Sequence, residues 1–232
     1  IAGNDFYASP RLSPDGAQLA WLTWNHPNMP WDGCELCVGE WNADGTLGRA
    51  ERVAGGVAES ICQPEWSPDG VLYFISDRTG WWNLYRWRGG ASEAVCPLEA
   101  EFGQPQWVFG ASTYAFESAQ RIICSYTRQG EWKLASLDTA TGRLSPFNLP
   151  YTDVRHVRAA PGRAVFIAAS PTESPCVVRL DLASNSLEVL RRSSELSIEA
   201  GYISVPQAIK FPTENGLTAH GFYYPPANQD YA

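Results

Sequence analysis

Ser13-Pro14-Asp15-Gly16 recurs as Ser67-Pro68-Asp69-Gly70, and each copy comes after a proline three residues before its serine, Pro10 and Pro64. The tetrapeptide is turn chemistry. Proline presets φ, aspartate bonds back to the backbone, and glycine takes a positive φ at no steric cost. A second echo sits just upstream. Gln63-Pro64-Glu65-Trp66 returns as Gln104-Pro105-Gln106-Trp107, so three units are expected to align on their first strand.

Short runs, apolar or alternating, come next in each unit: Leu19–Trp24, Val71–Ser76, Thr113–Phe116 and Ala164–Ala168. Length and composition predict a strand for each. A further pair of strands is predicted behind each one. Cys34–Val38 leads to Ala50–Val53, and Trp82–Trp87 leads through Gly89-Gly90 to Glu93–Cys96. Trp132–Leu137 leads through a Thr-Gly turn to Leu144–Phe147, and Val177–Leu182 leads to Leu187–Leu190. Four units of four strands, at roughly 40–55 residues per unit, match the blades of a β-propeller. The blades are expected at about 5–55, 56–98, 99–148 and 149–193. A doubly wound alternative would need helices between strands. Only Ser193–Ala200 suggests a short one. Beyond a boundary near Ser194, the stretches Tyr202–Phe211 and Leu217–Tyr224 flank Thr213-Glu-Asn-Gly216 and predict a hairpin, so 194–232 is expected to be a linker and hairpin outside the blade pattern.

Composition agrees with an all-β reading. Of 232 residues, 44% are hydrophobic and 18% charged, and the 10 Trp and 10 Tyr suit half-buried pleated surfaces. The net charge of -8, with no basic stripe, argues against nucleic acid as a partner. No apolar run is long enough to span a membrane as a helix, and no cofactor motif appears. Cys34 and Cys37 form a C-x-x-C, but no second pair completes a metal site, and the motif reads as strand. Six scattered cysteines without a disulfide framework lead us to expect a reducing, cytoplasmic setting. The chain opens on Ile1, so we expect a piece of a longer polypeptide. An incomplete ring would leave open blade edges that invite pairing into an oligomer.

Several stretches together resemble the prolyl oligopeptidase family of serine peptidases. They are the Ser-Pro-Asp-Gly blades, Ser76-Asp-Arg-Thr-Gly-Trp-Trp-Asn-Leu-Tyr85, His26-Pro-Asn-Met-Pro-Trp-Asp-Gly33, and the tail Gly221-Phe-Tyr-Tyr-Pro-Pro226. The dipeptidyl aminopeptidase and acylaminoacyl-peptidase branch is the most similar group. Ser-Pro-Asp-Gly alone also marks TolB-like propellers, which leaves a stand-alone binding module as the alternative reading. The peptidase resemblance implies a propeller, usually seven-bladed, over an α/β-hydrolase domain that it screens from all but short peptides. It also implies that the 194–232 hairpin leads toward that hydrolase domain, which would be the partner of this chain.

No catalytic residue is assigned. A nucleophile elbow needs G-x-S-x-G at a strand-to-helix turn, with Asp and His further along the chain. Gly110-Ala-Ser112-Thr-Tyr114 lacks the closing glycine and precedes a strand; only His156 and His220 lie downstream. A sugar-active propeller would need a carboxylate pair at a defined separation, and no motif suggests one. For substrate contact, the resemblance implies acidic side chains that hold a peptide's ammonium end, a task suited to charge-assisted hydrogen bonds. Glu99 and Glu101 lie on a predicted connection between blades and fit that role; so does Asp32 beside Trp31. Trp81, after a turn, offers an apolar wall.

Overall fold

The computed structural model describes residues 1–231. Four antiparallel four-stranded sheets succeed one another along the chain. The first comprises β1 (Phe6–Leu12), β2 (Gln18–Trp24), β3 (Glu35–Trp41) and β4 (Leu47–Gly55). The second holds β5 (Ile61–Trp66), β6 (Leu72–Ser76), β7 (Asn83–Arg88) and β8 (Ala91–Ala94). The third holds β9 (Tyr114–Ser118), β10 (Arg121–Arg128), β11 (Glu131–Asp138) and β12 (Leu144–Pro146). The fourth holds β13 (Asp153–Ala160), β14 (Arg163–Ser170), β15 (Glu173–Asp181) and β16 (Leu187–Arg192). Strand order within each sheet is sequential, as in propeller blades. A separate hairpin pairs β17 (Gln207–Pro212) with β18 (Thr218–Tyr223).

The Ser-Pro-Asp-Gly turns do what their chemistry requires. Ser13 Oγ donates to Asp15 Oδ1 at 2.5 Å, and Ser67 Oγ donates to Asp69 Oδ1 at 2.6 Å. Gly16 and Gly70 close the turns at φ of +72° and +82°. The turns between third and fourth strands use aspartate differently. Asp138 Oδ1 accepts the amide of Thr141, and Asp181 Oδ1 accepts that of Ser184, each at 2.8 Å.

Each interface between neighbouring sheets holds its own hydrophobic core. Leu22, Leu36 and Val38 meet Ile61, Leu72 and Phe74 between the first two sheets. Tyr73, Ile75 and Leu84 meet Tyr114, Ile122 and Leu137 between the next two. Ile123 and Leu134 meet Val154, Phe166 and Val178 between the last two. Adjacent residues such as Leu72 and Tyr73 therefore serve opposite interfaces. That is why the second strands read as continuous apolar runs, not as alternation.

The first strands form the inner edges of the array, where β1 approaches β5 and β9 approaches β13. Three of them carry a bulge at the same place. Register slips between Ala8 and Arg11, between Cys62 and Glu65, and between Arg155 and Arg158. Ser9, Gln63 and His156 take positive φ there.

The third unit departs from expectation. Gln104–Trp107 is not a strand, and Thr113–Phe116 opens the first strand of its sheet, not the second. The second strand is β10, whose run Ile122-Ile-Cys-Ser-Tyr126 no Ser-Pro-Asp-Gly turn announces. The helix expected at Ser193–Ala200 is also absent; one 3₁₀ turn covers Ala200–Tyr202, and Ser194–Glu199 has no regular structure.

Antiparallel order sends alternate connections to opposite ends. The β2–β3, β6–β7, β10–β11 and β14–β15 loops share one end, the loop end, with the links between sheets. The hairpin sits at this end too: a Cβ added to Gly130, in the β10–β11 turn, would stand 3.0 Å from the Phe222 ring. Among the described residues, no helix is long and apolar enough to cross a membrane.

Candidate functional site

All five residues singled out from the sequence lie at the loop end, on two separate ledges. Trp31 and Asp32 belong to the β2–β3 loop, which contains a cis His26–Pro27 bond. Asp32 Oδ2 accepts the Met29 amide at 2.9 Å, so its carboxylate also holds a turn. Trp31 packs against Trp107, with ring centroids 4.2 Å apart. On the second ledge, Glu101 is half-buried and Glu99 exposed. Glu101 bridges to Thr127 through two backbone bonds, and its Oε2 accepts the Trp82 amide at 2.7 Å. Its carboxylate therefore ties the end of the β6–β7 loop to the link between the second and third sheets. Trp81 is 39% exposed, whereas its neighbour Trp82 packs into the core between those sheets. No hydrogen bond or ring contact joins the two ledges among the described residues.

Between the ledges runs the β6–β7 turn. Asp77 Oδ1 accepts the Ser60 amide at 2.7 Å, and Arg78 pairs with Glu59 at 2.8 Å. Ser60 Oγ in turn donates to Pro30 O at 2.9 Å, which fixes the first loop onto the link after β4. These charges hold loops in place.

Two features of the site escaped the sequence reading. One is a polar knot at the inner edge, centred on Gln63. Its Nε2 donates to Tyr114 O at 2.7 Å and Ser112 Oγ at 3.1 Å, and its Oε1 accepts the Thr113 amide at 2.7 Å. Ser112 Oγ donates to Val157 O at 2.7 Å, so this buried hydroxyl links the second, third and fourth sheets. The positive φ at Gln63 aims the amide across the blade interface, and the Gln-Pro bulge was the available signal.

The other is an excursion of the third inner strand. Phe102 stacks on Tyr126 at 5.5 Å, so the strand begins at Glu101–Phe102, leaves at Gln104 and resumes at Thr113. Residues 104–112 stand where the other inner strands have a two-residue bulge. Gly103 makes the departure possible: a Cβ there would lie 2.4 Å from the Trp82 ring.

The cysteines are buried or half-buried and free. Cys34 Sγ donates to Ile61 O at 3.1 Å and accepts the Ile61 amide at 3.2 Å. Burial pushes its thiol up to about 12, and that of Cys37 up to about 11. Burial also raises Cys62 and Cys124. Such thiols are poor nucleophiles. Among the described residues, no three His, Cys, Asp or Glu side chains converge to hold a metal ion.

Blades of sequential antiparallel strands, with ledges at the end from which the chain leaves, define an open β-propeller array. Comparison with solved structures places the array more narrowly. The chain is 36% identical to a puromycin-hydrolyzing peptidase of Mycobacterium tuberculosis, with a TM-score of 0.92 over 99% of this chain and 35% of that one. A puromycin hydrolase matches at 36% identity and a TM-score of 0.88, over 97% of this chain and 34% of its own. The chain thus spans about a third of the length of these structures. TolB from Acinetobacter baumannii, at 13% identity and a TM-score of 0.60, shares the fold. No family model matches, and no curated protein does. The chain is a partial β-propeller of the prolyl oligopeptidase family.

Proposed function

We propose that this array is the non-catalytic propeller portion of a serine peptidase, and that it gates and positions short substrates for an α/β-hydrolase domain. The observation that carries this reading is the 36% identity over 99% of the chain to a puromycin-hydrolyzing peptidase. By that likeness, the bond cleaved is an aminoacyl amide or a short peptide. The geometry supports the division of labour. The candidate contact residues share the loop end with the hairpin, so a domain continuing from the hairpin would face them. In that arrangement, Asp32 and Glu99 offer carboxylates for a substrate ammonium, while Trp31 and Trp81 offer apolar faces. Acyl transfer would use a serine, its histidine base and an oxyanion hole outside this chain. A reducing cytoplasmic compartment would keep the six thiols free.

The division of labour is tested on the purified chain. It is expected to leave aminoacyl and peptidyl p-nitroanilides intact and to take no label from a fluorophosphonate. Stoichiometric labelling of any serine would overturn it.

A further inference from the structure

The excursion at 104–112 leaves Trp107, Val108 and Phe109 exposed at 74%, 65% and 86%. Three consecutive large apolar side chains in the open are a feature that calls for a partner. The segment is nonetheless fastened on several sides. Gln106 Nε2 donates to Ile61 O at 2.7 Å, on the second inner strand. Arg158 Nη2 donates to Gly110 O at 3.1 Å, from the fourth. Trp107 rests against Trp31 of the first sheet's loop. The excursion is therefore a strap that leaves the third inner strand and is tied to the inner strands of the second and fourth sheets and to the loop of the first. Val108 and Phe109 share a small recess with Ser9, Arg11, Gln63, Gln104 and Gln106, whose lining is polar and apolar in similar parts.

From this arrangement we propose that the strap is a recognition surface for a bulky apolar side chain of a short peptide or aminoacyl amide. The inference rests on the peptidase reading and adds a specificity element to it. Two observations favour a small ligand over a docked domain. First, the strap lines a concave recess through Val108 and Phe109, together with Ser9 and Arg11 of β1 and Gln63 of β5, and concave sites suit small ligands. Second, its exposed apolar surface amounts to three side chains, well short of the roughly 600–1,500 Å² that interfaces between domains bury. The recess offers the Gln104 side-chain amide and the Gln106 Oε1 acceptor, which suit the N–H and C=O groups of a peptide, while the Gln63 amide is held within the protein.

The test uses the full chain labelled with 5-fluorotryptophan and monitored by ¹⁹F NMR, with the Trp107 resonance assigned through Trp107→Phe. Titration with phenylalaninamide or leucinamide is expected to shift the Trp107 signal saturably, and glycinamide to bind about fivefold more weakly or worse. The Val108→Ser, Phe109→Ser double variant, with the other tryptophan signals unmoved, is expected to lose about fivefold in phenylalaninamide affinity. Three results would overturn the proposal: a Trp107 signal indifferent to phenylalaninamide, equal binding of glycinamide, or a double variant that binds as the parent does. A Trp107 shift that tracks protein concentration without ligand would assign the strap to a second copy and would also overturn it. No bond is cleaved in this titration, so its failure leaves the peptidase reading standing. Fluorophosphonate labelling of the chain would strike that reading and not this one.

Discussion

Glu101 shows how a residue selected for its charge can be absorbed by the backbone. Its carboxylate meets the Trp82 amide, and its main chain bridges Thr127, so much of its bonding capacity holds two sheets together. Asp32 divides its role in the same way between a turn and the solvent. The sequence marks both as acids on connections, and that much was legible. Which acid also caps an amide depends on contacts made across sheets, which spacing cannot reveal. The buried thiols give a prediction at this scale. The Cys34 thiol is raised from 9.0 to about 12, chiefly by burial. A raised folded value means that the unfolded chain loses its proton first. The stability is intact below pH 9 and is lost as pH rises from 9 toward 12, at about 1.4 kcal/mol per pH unit for each such thiol. Urea unfolding at stepped alkaline pH is expected to show this fall, and Cys34→Ala to flatten part of it. An unchanged slope in the variant would refute the assignment.

At the scale of elements, the Ser-Pro-Asp-Gly turns and the apolar runs behind them were enough to read the first two sheets. The fourth was readable from its runs alone. Both faces of β6 and β10 are covered by neighbouring sheets, so continuous hydrophobicity was a sound signal there, whereas β14 at the end of the array buries one face. The third sheet was misread for a physical reason. Gln104–Trp107 copies the letters of Gln63–Trp66, but the copy begins the strap, and the strand resumes only at Thr113. Local sequence could not show that the inner strand is split, because its two halves are joined only through pairing with β10. The Gln63 knot is the element-level device that fixes the inner strands to one another. Gln63→Ala removes both ends of an amide that serves Tyr114, Thr113 and Ser112. Ser112 Oγ keeps Val157 O, but the buried Thr113 amide is left unpaired, which is expected to cost about 1–3 kcal/mol, read as a lower urea midpoint with little change in m-value. A loss under about 0.5 kcal/mol would show that water replaces the amide without penalty.

For the whole molecule, the decisive feature is polarity of the array. The Ser-Pro-Asp-Gly turns lie at one end, whereas the ledges, the root of the strap and the exit toward the hairpin lie at the other. That asymmetry is dictated by strand order alone and was implicit in the repeat. Packing of Phe222 over the β10–β11 turn was not, since it depends on how a segment outside the repeat folds back. The array also exposes β16 along its full length, an outer edge with unpaired backbone groups. The role proposed for this array is to screen and position substrate for a hydrolase domain at its loop end. It is tested most directly by exchanging the chain for the matched region of the puromycin-hydrolyzing peptidase and measuring kcat/KM on an aminoacyl p-nitroanilide and on unfolded casein. The chimera is expected to retain cleavage of the small substrate and to leave casein intact. Cleavage of casein on a par with the small substrate, by a folded chimera, would contradict it.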